Sequence, residues 1–353
     1  MDTLLNDLLI TDGISGYESN ISYLIKSTFD DICNKKNVIT DNFGNVICKI
    51  GNGQKKIMIT AHMDEIGMIV KHIDKNGFLR FIKVGGINDS ILPGTKVEII
   101  NKQNQHIQGV IGVKPPHIMT SDEIKQSVKS ETMFIDIGIN SKDKVSKVIE
   151  IGDQIIFEPK AGVLNNSFFY GKAVDNRIGC YIIIKVLEQF IRKQNLDIEL
   201  YVCATVQEEV GLKGGYTAAF NIKPDFALVI DTTIAGDTPE IKQEVSSLEL
   251  GKGPAITFIE ACGRGAIITH KVQKFLLKVA RDNNIAYQID VIDGGVTDAA
   301  LIQTSQGGIL SGVLSVPTRY IHSPISVFNI NDVISTINFT SKILENIHTL
   351  LFN

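Results

Sequence analysis

Apolar residues are spaced differently in three stretches of the chain, and each spacing predicts a different kind of element. In the first thirty residues Leu4, Leu5, Leu8 and Leu9 share one helical face, with a break at Gly13 and Gly16 and Ser15-Gly16-Tyr17-Glu18 as a capping box. A hairpin is expected from residues 37–40 and 46–50, around Asp41-Asn42-Phe43-Gly44-Asn45, and Ile57-Met58-Ile59 marks a buried strand over residues 56–61. From about Gly67 to Pro159 the texture changes to short β-rich runs (77–84, 95–100, 106–113, 132–137, 153–158) separated by Gly, Asn and Pro. That pattern fits a small barrel or sandwich. After Ala161 helices over 176–190, 213–220, 270–283, 298–303 and 331–351 alternate with strands over 197–205, 226–230, 286–292 and 308–314. Such alternation predicts an α/β fold, a mostly parallel sheet flanked by helices, to which the 56–61 strand also belongs. The expected organisation is a discontinuous domain of residues 1–66 and 162–353, interrupted by a β-rich insertion over residues 67–161.

With 353 residues the chain is long enough for this two-part organisation. Its 44% hydrophobic and 21% charged residues exclude bulk disorder. The balance of 35 Lys+Arg against 39 Asp+Glu leaves a net charge of -4 and no electrostatic footprint for nucleic acid or an anionic membrane. No apolar run approaches the roughly 20 residues that span a bilayer, and Met1-Asp2-Thr3 puts no basic stretch ahead of the leucines, so a soluble cytoplasmic protein is expected. The odd set Cys33, Cys48, Cys180, Cys203 and Cys262 lies in apolar segments, as buried thiols of a reducing compartment would.

Ligands of open α/β sheets gather at the carboxyl ends of the strands, so the residues that follow each apolar run matter most. Four runs end in metal-type residues: His62-Met63-Asp64-Glu65, Gln207-Glu208-Glu209, Asp231-Thr232-Thr233, and the segment Pro317-Thr318-Arg319-Tyr320-Ile321-His322. Asp175 stands just before a predicted helix, where alone it would read as an N-cap. Each residue alone has a plain structural explanation; two histidines and several carboxylates at equivalent places in one sheet do not. A mixed set of imidazole and carboxylate suits Zn²⁺, Co²⁺ or Mn²⁺, and two such ions need about five ligands with one carboxylate shared. His62 and Asp64, two apart in extended chain, point the same way, so Asp64 can fix the His62 tautomer. The adjacent Glu208 and Glu209 diverge, so one can bind metal while the other faces substrate and takes a proton from water. That is the chemistry of aminopeptidases and related amidases. Cys262-Gly263-Arg264-Gly265 reads as a loop rather than a nucleotide site, with Arg264 a candidate partner for an acidic substrate side chain. Thr297-Asp298 reads as a helix cap that can also line the site.

In this order these residues resemble the dinuclear metallo-aminopeptidase family of glutamyl aminopeptidases, deblocking aminopeptidases and tetrahedral peptidases. The resemblance runs over nearly the whole chain and takes in Leu250-Gly251-Lys252-Gly253-Pro254-Ala255-Ile256, Gly294-Gly295-Val296-Thr297-Asp298-Ala299 and Val316-Pro317-Thr318-Arg319-Tyr320-Ile321-His322-Ser323-Pro324. It implies a zinc-peptidase-like catalytic domain with His62 and Asp231 as terminal ligands of one ion, Glu209 and His322 of the other, and Asp175 as the bridge. Glu208 is then the general base, and Asp64 orients His62. The resemblance further implies two divalent ions per subunit, zinc or cobalt before manganese, and peptide substrates with a free N-terminus. It also implies that the insertion is a small β-barrel-like dimerisation domain, with dimers assembling into a dodecamer. Asn176 stands where some relatives carry a second Asp, and Val296 where Gly is common; neither change removes a ligand. The rival readings are an endoglucanase-type hydrolase, a label some relatives carry, and a non-catalytic peptide-binding assembly.

Overall fold

In the computed structural model, which describes residues 1–193 and 197–351, the two textures of the sequence become two closed cores. Helices α1 (Thr3–Ile10) and α2 (Ser19–Ile32) lead into the hairpin β1 (Val38–Thr40) and β2 (Val46–Ile50) and then β3 (Lys55–His62). The second texture supplies β4 (Gly67–Ile73), β5 (Leu79–Val84), β6 (Lys96–Ile100), β7 (His106–Gly112), β8 (Phe134–Asp136) and β9 (Gln154–Phe157). Two short helices, α3 (Ser121–Lys125) and α4 (Lys142–Val145), lie among them. The chain then forms β10 (Ala161–Asn165), β11 (Phe168–Gly171), α5 (Val174–Phe190), β12 (Ile198–Thr205), α6 (Lys213–Ile222) and β13 (Phe226–Ile234). It ends with β14 (Ala255–Ile259), α7 (His270–Asp282), β15 (Gln288–Val291), α8 (Ala299–Ile302), β16 (Leu310–Arg319), β17 (Ser326–Asn329), α9 (Ile330–Glu345) and α10 (His348–Leu351).

The large sheet runs β1-β2-β12-β3-β13-β16-β17-β11-β10, with β14 and β15 attached beside β16. Its four central strands, β12, β3, β13 and β16, are parallel. The parallel character predicted by the alternation is concentrated there. Both margins are antiparallel, which makes the sheet mixed as a whole. Ile57-Met58-Ile59 and Phe226-Ala227-Leu228-Val229-Ile230 are buried throughout, the continuous apolar reading of strands covered on both faces. Helix α5 packs on β3 and β13 with α1 and α9 beside it, while α6 packs on β3 and β12 with α8 beside it.

The β-rich stretch closes into a six-stranded barrel of order β4-β5-β8-β7-β6-β9. Period-two alternation fills it: Val97 and Ile99 of β6 face inward between Lys96 and Glu98, and meet Met68, Leu79, Ile111, Ile135 and Phe157. Closure leaves no unpaired edge.

Several elements depart from the sequence pattern. Strand β4 has a register shift between Val70 and His72 that breaks its alternation, and β10, β11, β14 and β17 are four or five residues long. The final helix is interrupted at Asn346. The expected capping box does not form: Ser15 Oγ donates to Asp64 Oδ2 at 2.6 Å, and Glu18 makes no side-chain cap on α2. Four cysteines are buried as expected, but Cys262 is exposed, because it sits on a surface turn at residues 261–263. Among the described residues no helix is long and apolar enough to cross a membrane.

Candidate dinuclear metal centre

Parallel pairing brings the carboxyl ends of β12, β3, β13 and β16 to one edge of the sheet, so the residues that stop each apolar run are gathered by register alone. His62 ends β3 opposite Thr205, which ends β12, and Glu208 and Glu209 follow in the next turn. Asp231 lies within β13 opposite Ser315 of β16, and His322 stands just past the end of β16. Asp175 opens α5 with non-helical backbone and a cis peptide bond to Asn176. It is not an N-cap: its carboxylate turns toward the two histidines.

Two groups result, His62 with Glu208 and Asp231, and Asp175 with Glu209 and His322; within each, the ligand-type atoms all lie within 4.8 Å of one another. His62 Nε2 is 3.2 Å from Asp175 Oδ1, 3.6 Å from Asp231 Oδ1 and 3.8 Å from Glu208 Oε2. His322 Nε2 is 3.4 Å from Asp175 Oδ2 and 3.3 Å from Glu209 Oε2. The two oxygens of Asp175 therefore face one group each.

Asp64 is fully buried behind His62, with Oδ1 3.5 Å from His62 Nδ1 and its backbone oxygen at 3.2 Å. Its carboxylate also accepts the backbone N–H of Glu208 at 3.0 Å and of Glu209 at 3.2 Å, besides the Ser15 hydroxyl. One carboxylate thus holds both metal-type segments in place. Behind it a buried ion network fixes the same loop: Lys172 Nζ reaches both oxygens of Glu65, and Arg177 Nε donates to the Met63 carbonyl at 2.7 Å. Gln207 and His322 have left-handed backbone, an uncommon state for residues other than glycine that clusters at functional sites.

Burial alone would lower the pKa of His62, but the charges of Glu208, Asp175, Asp231 and Asp64 outweigh it and carry it well above the usual histidine range. His322 is pushed up to about 11, against burial, by Asp175 and Glu209. Burial raises Glu208 far above the ordinary carboxyl range, opposed by His62 and reinforced by Asp231 and Asp298. Glu209 and Asp231 are raised for the same first reason, burial. Asp175 is held below the usual range because both histidines outweigh its desolvation.

This is a charge imbalance that the protein does not itself resolve. The cavity in front of the cluster holds about 760 Å³, and no lysine or arginine is among its lining residues. Glu209 Oε1 is buried without a hydrogen-bond partner. A concentrated set of carboxylate oxygens and imidazole nitrogens, with an orphaned acceptor and no basic side chain, fits two divalent cations.

Asp298, read from the sequence as part of a helix cap that can also line the site, lies against the metal-type groups. It is buried beside the centre, accepts the Thr205 hydroxyl at 2.7 Å through Oδ2, and leaves Oδ1 unpaired. It makes no helix cap, whereas Thr297 Oγ1 accepts the Ala299 N–H at 3.3 Å. Gly215 permits its approach, since a Cβ there would lie 2.4 Å from Asp298 Cγ. The sequence-derived set omits Glu260 and Asp290, which line the cavity. Their sequence signal is an acid inside an otherwise apolar strand run. Arg264 donates to the Ala261 carbonyl at 3.2 Å and is not among the residues lining the cavity.

Residues 44–339 match the family described as M42 glutamyl aminopeptidase. The chain is 31% identical to the lysyl aminopeptidase of Pyrococcus furiosus, over 99% of this chain and 98% of that one. Its structure is similar to an aminopeptidase from the archaeon Desulfurococcus kamchatkensis, with a TM-score of 0.91 and 36% identity over 97% of this chain and 94% of that one. It is also similar to the Pyrococcus horikoshii TET1 peptidase, which can assemble into a tetrahedron or a large octahedral shell (TM-score 0.86, 32% identity, 97% and 98% covered). With the family matched over most of its length and both metal-type groups in place, the chain belongs to the M42 glutamyl aminopeptidase family and is a metal-dependent peptidase.

Proposed function

We propose that the chain removes N-terminal residues from peptides, with His62 and Asp231 as terminal ligands of one cation, Glu209 and His322 of a second, and Asp175 shared between them. The observation that carries this reading is the division of Asp175, one oxygen toward His62 and the other toward His322. Zinc or cobalt suits the mixed imidazole and carboxylate set best, with manganese next. Two cations so held would supply Lewis acidity, an acidified water and a polarised scissile carbonyl. Glu208 takes the proton of the attacking water on its carboxylate and returns it to the leaving amine. Five other side chains already meet the need for ligands, which leaves Glu208 free for this role although it stands within the His62 group. Asp64 holds the Nδ1 side of His62, so Nε2 faces the cluster as a lone pair. A cavity walled by carboxylates without a lysine or arginine favours substrates that arrive with a positively charged amino terminus.

Residues 1–66 and 162–353 form the catalytic part of this reading, and residues 67–161 a dimerising insertion. Its dimers assemble further, to a dodecamer, a reading supported by the likeness to TET1 structures that form a dodecamer and a tetrahedron. The five unbridged cysteines suit a cytoplasmic location.

Replacing Glu208 by Gln tests the assignment. Turnover of aminoacyl p-nitroanilides falls by about 10²–10⁴ while two metal ions per chain remain by elemental analysis; unchanged turnover would refute the role. The endoglucanase-type reading separates on chelation. A two-carboxylate glycosidase needs no metal and survives it, whereas this peptidase stops and recovers with zinc, cobalt or manganese.

A further inference from the structure

The cavity beside the metal centre has two kinds of wall. Ile234, Ile241, Ile292 and Val296 are apolar, whereas Glu260 and Asp290 present carboxylates that are 1% and 7% exposed. Every hydrogen bond to these acids comes from a neutral donor. Asp290 Oδ2 accepts the hydroxyls of Thr233 at 2.7 Å and Thr257 at 3.4 Å. Glu260 accepts the Thr297 hydroxyl at 2.6 Å on Oε1, and the N–H groups of Ala266 at 3.0 Å and Thr297 at 3.2 Å on Oε2. Among the described residues neither forms a salt bridge to a lysine or arginine, and no lysine or arginine lines the cavity; its two histidines belong to the metal-type groups. Neutral donors satisfy hydrogen bonding but do not cancel charge. Burial raises both carboxyls, the state of an acid that lacks a counter-charge.

Their placement relative to the metal cluster sets a length. Thr233 is two residues beyond Asp231 on β13, so the two side chains share a face about 6.6 Å apart. The Thr233 hydroxyl rests on Asp290, which puts the acid one such step from the cluster. An extended lysine side chain spans roughly 6 Å from Cα to Nζ. Its methylene stem suits the isoleucine and valine wall, and its ammonium the carboxylates.

Resting on the aminopeptidase reading above, we propose that this cavity selects a basic side chain, lysine or arginine, at the substrate's amino terminus, with Asp290 as the main determinant and Glu260 second. At this wall, away from the metal cluster, the side chain of an N-terminal glutamate would meet two like charges, so the glutamyl preference in the family's description does not extend to this chain.

The test compares p-nitroanilides of lysine, arginine, norleucine, leucine and glutamate on the full-length, metal-loaded enzyme. Norleucine is lysine's side chain without the ammonium. Lysine and arginine exceed norleucine in kcat/KM by about tenfold or more, the size of a charge-assisted hydrogen bond, and glutamate ranks last. Asp290→Asn brings the lysine-to-norleucine ratio within about threefold of unity, and Glu260→Gln lowers it less. Equal or better turnover of norleucine, leucine or glutamate by the unaltered enzyme overturns this inference alone, as does a ratio unmoved in both variants. Hydrolysis of none of the five overturns the aminopeptidase reading with it. Should Asp290→Asn fail to fold, the unaltered enzyme and Glu260→Gln still decide.

Discussion

The barrel and the carboxyl edge of the sheet bury different things. Of the barrel's residues between Gly67 and Phe157, the buried polar ones are Asn101, Asp153 and Gln154, set around an interior of Met, Ile, Leu, Val and Phe. Within a few residues of the central strand ends the sheet buries His62, Asp64, Glu208 and Asp231, and Asp298 joins them from the turn before α8, with Glu209 Oε1 and Asp298 Oδ1 lacking any partner. The first region is stabilised by its own hydrocarbon. The second concentrates like charge in a low dielectric and is completed only by cations. Local periodicity therefore suffices to build the barrel, while the sheet edge depends on residues up to about 260 positions apart, as His62 and His322 are.

The contrast predicts that metal removal acts on one region and spares the other. Chelation lowers peptidase activity by about 10³-fold or more and raises amide exchange in residues 206–212 and 320–323, with exchange in the strands of the barrel unchanged. Comparable loosening of both regions would show that the barrel is not independent of the cluster. The next effect in size concerns Asp298, whose carboxyl is pushed up to about 7, first by burial, against an ordinary value of 3.8. Between about pH 4 and 7 the folded chain keeps a proton that the unfolded chain has lost, so this residue lowers stability as pH rises through that window. Three units correspond to a ceiling of about 4 kcal/mol. In metal-free protein Asp298→Asn, which matches the protonated acid in shape, gains on the unaltered chain in thermal midpoint as pH rises from 4.5 to 7. Parallel pH curves for the two proteins would exclude a proton held on Asp298.

How much of this was legible in the sequence follows the same division. The β-rich texture announced a barrel or sandwich because inward and outward residues alternate within strands, as Val97, Glu98 and Ile99 do; closure into a barrel was not in the pattern. The metal-type residues were legible because each stops an apolar run, at His62, Glu208 and Glu209, Asp231 and His322. The hairpin at one antiparallel margin was legible from its turn residues, but the other margin was not, since β17 and β11 are four residues each and carry too few positions for a period. Nor was the role of Ser15, whose local pattern fits a cap but whose hydroxyl is taken by Asp64, 49 residues away. The hydroxyl is oriented by donating to a buried, ionised acceptor, a stronger bond than accepting one backbone N–H at a cap. Ser15→Ala therefore leaves Asp64 short of a donor and weakens metal affinity by about 10–100-fold, read by metal titration, with α2 intact by circular dichroism. Loss of helix without loss of affinity would restore the capping role.

The smallest effect belongs to the barrel and isolates it from the chemistry. Ile99 is fully buried within it, and Ile99→Val removes one methylene from a packed interior. The expected cost is about 0.5–1.5 kcal/mol in denaturant unfolding, from lost transfer free energy and the small cavity left behind. Nothing in that change touches His62, Asp175 or their partners, so metal content and kcat/KM per folded chain stay as they were. If the variant instead lost metal or changed kcat in proportion to its lost stability, the barrel would be coupled to the edge of the sheet. The route open to such coupling is β4, which starts five residues after His62 and pairs with β9 inside the barrel. A strain passed along that connection would displace Asp64 first, because its carboxylate is the group that ties the loop after β3 to the backbone of Glu208 and Glu209.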